Sequence, residues 1–306
     1  MKHLLNFLLL FTVVSVCQAQ KVKPSLNLTK GNTYYHVTTA NSAMVQSING
    51  QENKIDLTIS GKMAFKVLDK TDTVYKMEVT YEWLTMKVGM AGNTIDIDSK
   101  KNDPNDIPSS IMAAITNKPF NITLTKSGKV ISVENMDKII AGVFDGFTQI
   151  DATKKEQLKA QFSQSFGPDA FRGSIEIATA IYPDKAVAKN DKWTVNTMLS
   201  APVKANVQMN YELTDILGDS YQIHGEGTMN TDKNAKPMVV NGLSISYNLN
   251  GTTITDIKAD KTTGWISEVK SKQAMKGDMQ IPDGPSVPGG MTIPMTFATD
   301  ILVSNK

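Results

Sequence analysis

Arginine, cysteine and histidine are nearly missing from this 306-residue chain, and each shortage removes a class of chemistry. Arg172 is the only arginine, so the two-pronged guanidinium clamps that seize phosphates and carboxylates are essentially unavailable. Cys17 is the only cysteine and lies in the first 20 residues. The rest of the chain therefore has no disulfide, thiolate nucleophile or cysteine metal ligand. Beyond His3 the only histidines are His36 and His224, far apart in sequence. His224-Gly225-Glu226 has the H-x-E spacing of a zinc deaminase but lacks the partner cysteines. Each histidine is expected as a surface strand residue, with His224 sharing parity with Gln222 and Glu226. No G-x-S-x-G elbow occurs, and Ser127-Gly128-Lys129 lacks the glycine spacing of a phosphate loop. The chain is expected to be non-catalytic and to need no cofactor.

Charge of one sign is also lacking. The chain carries 32 basic and 30 acidic residues, a balance that steers it neither to nucleic acid nor to anionic surfaces. Long apolar runs are confined to the start, MKHLLNFLLLFTVVSVCQAQ. Lys2 and His3 precede an apolar stretch, Leu4 to Val16, of about 13 residues, too short for the ~20 a membrane helix needs. Cys17-Gln18-Ala19 then offers small residues where a signal peptidase cuts, so residues 1–19 read as a cleaved secretory signal. The alternative is a lipoprotein acylated on Cys17, although Val16 replaces the small residue usual before such a cysteine. The protein is expected to be exported, periplasmic or extracellular, with no transmembrane segment after signal removal.

What is present is alternation. Ile55, Leu57 and Ile59 alternate with Lys54, Asp56 and Thr58; after the turn Asp69-Lys70-Thr71-Asp72 the period of two resumes from Val74 to Val79. That is the mark of half-buried antiparallel strands. The texture returns over 192–216, 220–230, 243–258, 264–270 and 291–303. Between these blocks Met136, Ile139, Ile140, Val143, Phe144 and Phe147 recur at helical spacing. Asp151 is placed to cap a second helix to about Phe166, and a third starts near Pro168 and buries Phe171, Ile175 and Ala178. A shorter helix is expected over Ser109–Thr116.

The two β-rich stretches echo one another. Lys30-Gly31-Asn32-Thr33-Tyr34 matches Lys189-Asn190-Asp191-Lys192-Trp193, and 65–77 aligns without gaps on 211–223. Phe65 then falls on Tyr211, Val67 on Leu213, Asp69 on Asp215 and Tyr75 on Tyr221. Lys126-Ser127-Gly128 resembles Lys261-Thr262-Thr263-Gly264. The expected fold is mainly β: long curved antiparallel sheet from two similar halves, half-barrel or sandwich-like, with a helical insert packed on it. The boundaries are 20–133 for the first half, 134–186 for the helical insert and 187–306 for the second half, in one composite domain.

The signal-like start, the LNLTKGNTYYHV opening at 26–37, the paired blocks and the final strand MTIPMTFATDILVS resemble a family of uncharacterised exported bacterial proteins. More distantly the layout resembles periplasmic lipoprotein-carrier half-barrels. That resemblance implies a concave sheet and helical lid enclosing an apolar cavity for acyl chains. Sixteen methionines suit such adaptable apolar space. Among them Met63, Met77, Met86, Met90, Met136, Met209, Met229 and Met238 fall in or beside structured segments. The candidate pocket residues are Tyr34, Phe65, Met77, Trp83, Ile140, Phe144, Trp193 and Tyr211, and the expected partner is a hydrophobic small molecule or lipid. A structural or protein-interaction role at the cell envelope is the alternative, with a hydrolase third. Asp96, Asp98, Asp103 and Asp106 form the best oxygen cluster for calcium, but an EF-hand counted from Asp103 would meet Pro108 and Ala114 where it needs Gly and Glu.

Overall fold

A computed structural model describes residues 21–306 apart from 102, 104, 148, 149, 201, 202, 233 and 241. The leader with Cys17 and Ala19 lies outside the described residues. The first block holds β1 (Thr33–Ile48), β2 (Gln51–Lys70), β3 (Val74–Met90), β4 (Asn93–Asp98), helix α1 (Ile107–Ile115), β5 (Phe120–Thr125) and β6 (Val130–Glu134). Three helices follow: α2 (Met136–Asp145), α3 (Ala152–Phe166) and α4 (Pro168–Thr179). The second block holds β7 (Lys192–Leu199), β8 (Ala205–Ile216), β9 (Ser220–Thr231), β10 (Met238–Val240), β11 (Leu243–Asp260), β12 (Ile266–Ile281) and β13 (Met291–Ser304).

Local chemistry sets these elements. Asn49-Gly50, both at positive φ (53° and 78°), joins β1 to β2 as a two-residue turn of the kind that matches strand twist. Asp151 accepts from the Lys154 N–H at 2.9 Å and so starts α3 where the sequence places it. Asp106 does the same for α1, accepting from Ser109 N at 3.0 Å. Phe171, Ile175 and Ala178 are buried on α4 as their spacing requires.

All strands pair antiparallel in one 13-stranded sheet, ordered β6-β5-β3-β2-β1-β13-β12-β11-β9-β8-β7, with β4 beside β3 and β10 beside β11. The sheet is not closed into a barrel. The order contains the same path twice: β1-β2-β3-β5-β6 in the first block and β7-β8-β9-β11-β12 in the second. The paths run head to tail, and β13 joins β1 to β12. Corresponding details recur. A register shift falls between Val67 and Asp69 in one half and between Leu213 and Asp215 in the other. Gly31 N donates to Val67 O at 2.8 Å, as Asn190 N does to Leu213 O at 2.7 Å.

The two edge strands of this path, β6 and β7, both meet α4. Glu176 accepts from Val130 N on β6 at 2.8 Å, while the Gly173 Cα lies so close to β7 that a Cβ there would stand 2.9 Å from Met198 O. A sheet whose ends meet the same helix must curl around its inner face. The helices pack on one end of that face and build the main core there with Phe65, Met77, Phe120, Phe144, Leu213 and Ile223. Each such buried side chain contributes about 1.5–3 kcal/mol. The segment before β1 is tied into this end: Tyr75 Oη donates to Leu26 O at 2.9 Å and accepts from Leu28 N at 3.1 Å.

Candidate functional site

Beneath the helices the described side chains pack closely. The gap lined by Tyr81, Phe120, Met136, Ile140, Phe162 and Phe166 holds about 10 Å³, at most one water. Phe65, Met77, Ile140, Phe144 and Tyr211 are all buried in the core here. Tyr34 and Trp193 flank it half-buried, the former accepting from Thr29 N and the latter donating to Ile181 O. Trp83 pairs with Lys62 on the opposite, outer face of the sheet, with the Lys100 ammonium 4.9 Å from its ring centroid. The structure thus brings seven of the eight sequence-derived candidates together in or against this core, and Trp83 stands apart on the outer face.

The long strands run on past the helices. At about 3.3 Å per residue the 20-residue β2 spans roughly 65 Å, far more than α2 or α4 covers. Along this stretch the register aligns an apolar rung across the inner face: Met90, Ile55, Met44, Phe297 and Met275, which runs on past Gly251 to Met229, buried in the main core. Met90 is 54% exposed, and Met44, Ile55, Phe297 and Met275 are half-buried. Leu249, Met295 and Val203 form a second small core, against which Met44, Tyr247, Met275, Met279 and Phe297 pack.

One rung nearer the helices the same face becomes polar without becoming charged. Ser42, Thr299, Gln273 and Thr253 stand in register there, flanked by Leu57 and Val88. Ser42 Oγ lies 2.9 Å from Thr299 Oγ1, and Thr253 Oγ1 lies 3.4 Å from Ser271 Oγ. Successive residues on a strand alternate faces. The outer face of the same strands accordingly carries the charges, among them Lys54, Asp56, Lys272, Lys276 and Asp300. It also bears a shallow open trough of about 860 Å³ over Ala43, Ala298, Ala274 and Thr252.

The histidines part company. His224 is a surface strand residue as expected; its Nδ1 lies 2.7 Å from Asp256 Oδ1, a bond that raises its pKa above the ordinary value. His36 corrects the expectation. Only 1% exposed, it stacks on Trp265 with ring centroids 4.4 Å apart, and its Nε2 has no partner. Its strand parity places it inside, beside Phe65, and burial drives its pKa down to about 3. The acidic cluster is used structurally. Asp98 accepts from Lys100 N, Asp103 from Asn105 N, and Asp106 from Ser109 and Lys101, whose ammonium also reaches Asp96 O. Among the described residues no group of three or more His, Cys, Asp or Glu side chains is placed to hold a metal ion.

Sequence reasoning missed Met44, Phe297, Met275 and Met279 as candidates. The signal is available in part: Ile293, Met295, Phe297 and Ile301 alternate within 291–303, but the alternation over 264–270 covers only the start of β12, which runs to Ile281.

Residues 72–266, more than half of the chain, match a family of unknown function, DUF6263, and the protein belongs to it. No curated protein matches the chain. Among solved structures it is similar to one of lipid–protein interactions in lipovitellin, at 8% identity and a TM-score of 0.44 over 92% of this chain. The chain spans 25% of the lipovitellin chain. It is also similar to the translocator domain of the autotransporter NalP from Neisseria meningitidis, at 7% identity and a TM-score of 0.21, covering 92% of this chain and 91% of that one. At these scores neither likeness bears on function. Among the described residues no helix is long and apolar enough to cross a membrane.

Proposed function

We propose that the protein is an exported, non-catalytic binding or carrier module for an apolar, lipid-like ligand. The observation that carries this reading is the apolar rung of Met90, Ile55, Met44, Phe297 and Met275 on the curled sheet's inner face beyond the helices, the first exposed and the rest half-buried. Apolar side chains left side by side and only half-covered in this way mark a binding site, and methionine side chains adapt to variable apolar shapes. The seat therefore lies beyond the helices, with the helix-covered core as its floor. The leader-like residues 1–19 send the module through a membrane, with cleavage after Ala19, and lipid anchoring on Cys17 is the variant form. Native mass spectrometry of the mature chain from its own exporting host, followed by solvent extraction, tests this. A reproducible adduct of lipid-like mass that extraction removes is expected, on a chain that begins at Gln20; a clean apo mass overturns the reading.

One observation favours a second reading, an envelope interaction module without a ligand. Ile95 on β4 is 58% exposed beside Val88, beyond a helix-covered core whose described side chains pack closely. On that reading the apolar face meets another protein, and a clean apo mass is its expected result.

A further inference from the structure

We infer that the occupant of the open inner face is an uncharged amphiphile of the acylglycerol kind, not a fatty-acid anion or an anionic phospholipid. The inference rests on the lipid-binding reading above and specifies the ligand for that same face.

Charge is sorted residue by residue here. Three adjacent rungs, those through Met44, Ser42 and Ala40, carry no Lys, Arg, Asp or Glu on the inner face from β3 to β8. Their immediate neighbours on the outer face of the same strands include Asp56, Lys87, Lys272 and Asp300. An ionised headgroup entering this face would shed water and find no counter-charge, which costs several kcal/mol or more. A neutral headgroup meets what the face does offer. The half-buried Ser42, Thr299 and Gln273 supply hydroxyl and amide groups directly beside the rung of Met44, Phe297 and Met275. Among the described residues the half-buried Gln273 amide makes no side-chain hydrogen bond, which leaves its donors and acceptor unpaired within the protein. An ester or glycerol hydroxyl hydrogen-bonds to such groups without any charge, while the acyl chain covers the methionines.

The test uses delipidated mature protein and three probes with the same pyrene-labelled chain: a monoacylglycerol, a fatty acid and a phosphatidylglycerol. At neutral pH the monoacylglycerol is expected to bind at least about tenfold more tightly than either anion. The fatty acid is expected to gain affinity as pH is lowered to about 5, where protonation begins to remove its charge. Equal or tighter binding of the anions overturns the inference while leaving the lipid reading intact; binding of none of the three overturns the lipid reading itself. Met275→Lys is expected to weaken the neutral probe and strengthen the anions, whereas Ala274→Lys, on the outer face of the same strand, changes neither. Gln273→Leu guards against a misfolded Met275→Lys: it is expected to weaken the monoacylglycerol severalfold and leave pyrene-dodecane unchanged. Unchanged monoacylglycerol binding in Gln273→Leu overturns the placement of the headgroup.

Discussion

Asp69 and Asp215 occupy the same place in the two halves of the sheet. Each follows a register shift in its hairpin and each accepts from a lysine, Lys30 at 2.9 Å and Lys189 at 2.8 Å. The lysine bond is the leading cause that holds each carboxyl below the usual carboxylate range. Both pairs are exposed, so their contribution to stability is small and screened by salt. Their value is as markers, since they fix which residues of the halves correspond and show where the halves differ.

Tyr75 and Tyr221 are such a difference. Tyr75 Oη bridges Leu26 O and Leu28 N, stitching the segment before β1 to β3. Tyr221 makes no comparable side-chain bond among the described residues. Removing a buried hydroxyl that satisfies two backbone groups costs about 1–3 kcal/mol. Tyr75→Phe is therefore expected to lower urea-unfolding stability by about that amount, and Tyr221→Phe by less than about 1 kcal/mol. Equal losses in the two variants would contradict the bridging role.

The repeated glycines Gly128 and Gly264 give a second prediction. At Gly128, φ is +86° and a Cβ would stand 1.7 Å from Thr179 O; at Gly264, φ is +66° and the nearest atom is Ser25 O at 2.1 Å. Backbone cannot yield as a side-chain tip does. Gly31, at φ +88°, has nothing within 4 Å and so carries only the left-handed strain. Gly31→Ala is expected to cost about 1–2 kcal/mol and Gly128→Ala about 3 kcal/mol or more, measured by chemical denaturation.

Much of this architecture was legible in sequence because period and caps are local properties. Ile55, Leu57 and Ile59 announce β2, Asp151 announces α3, and the Met136–Phe144 spacing announces α2. The parity of Phe65 with Tyr211 was readable too, since both sit on the inner face. The candidate site was not. Which apolar strand residues end up under a helix and which stay open depends on strand length relative to helix length and on the sheet order. Met44 sits among small and polar residues, ANSAMVQS, and only its register with Ile55 and Phe297 makes it part of a face. His36 misled for a related reason. Its parity is that of Tyr34, inside, and Trp265 reaches it from just before β12, 229 positions away in sequence.

Acid should act on the two histidines in opposite senses. Burial lowers the His36 pKa to about 3, so the unfolded chain binds a proton near pH 6.5 that the folded chain refuses. Stability is then expected to fall as pH drops from about 6.5 towards 3, with a slope of up to about 1.4 kcal/mol per pH unit from this residue. The bond to Asp256 raises the His224 pKa, so its contribution is fully present below about pH 6.5 and is lost as pH rises through the folded value. Denaturant titrations across pH should lose the acid-side slope in His36→Phe and the smaller fall on the alkaline side in His224→Gln. A His36→Phe profile as steep as the parent's would show that other groups drive acid unfolding.

The last prediction concerns how an open sheet avoids pairing with its neighbours. Exposed strand edges are templates for association, and the curled path here ends in two, β6 and β7. Helix α4 stands against both. Glu176 occupies the Val130 N–H on β6, Arg172 reaches Ile131 O at 3.4 Å, and Gly173 lets β7 approach to contact. A side chain at Gly173 would meet Met198 O at 2.9 Å and Ser200 N at 3.0 Å, so Gly173→Leu must push helix and strand apart. Overpacking of that kind costs about 1–3 kcal/mol. Because it also bares β7, the variant is expected to self-associate at concentrations where the parent stays monodisperse, as read by light scattering. Glu176→Gln keeps an acceptor for Val130 N and is expected to remain monodisperse. If Gly173→Leu loses stability yet stays monodisperse, α4 is packing alone and the edges are protected by something else, with the short length of β6 and β7 the next feature to test.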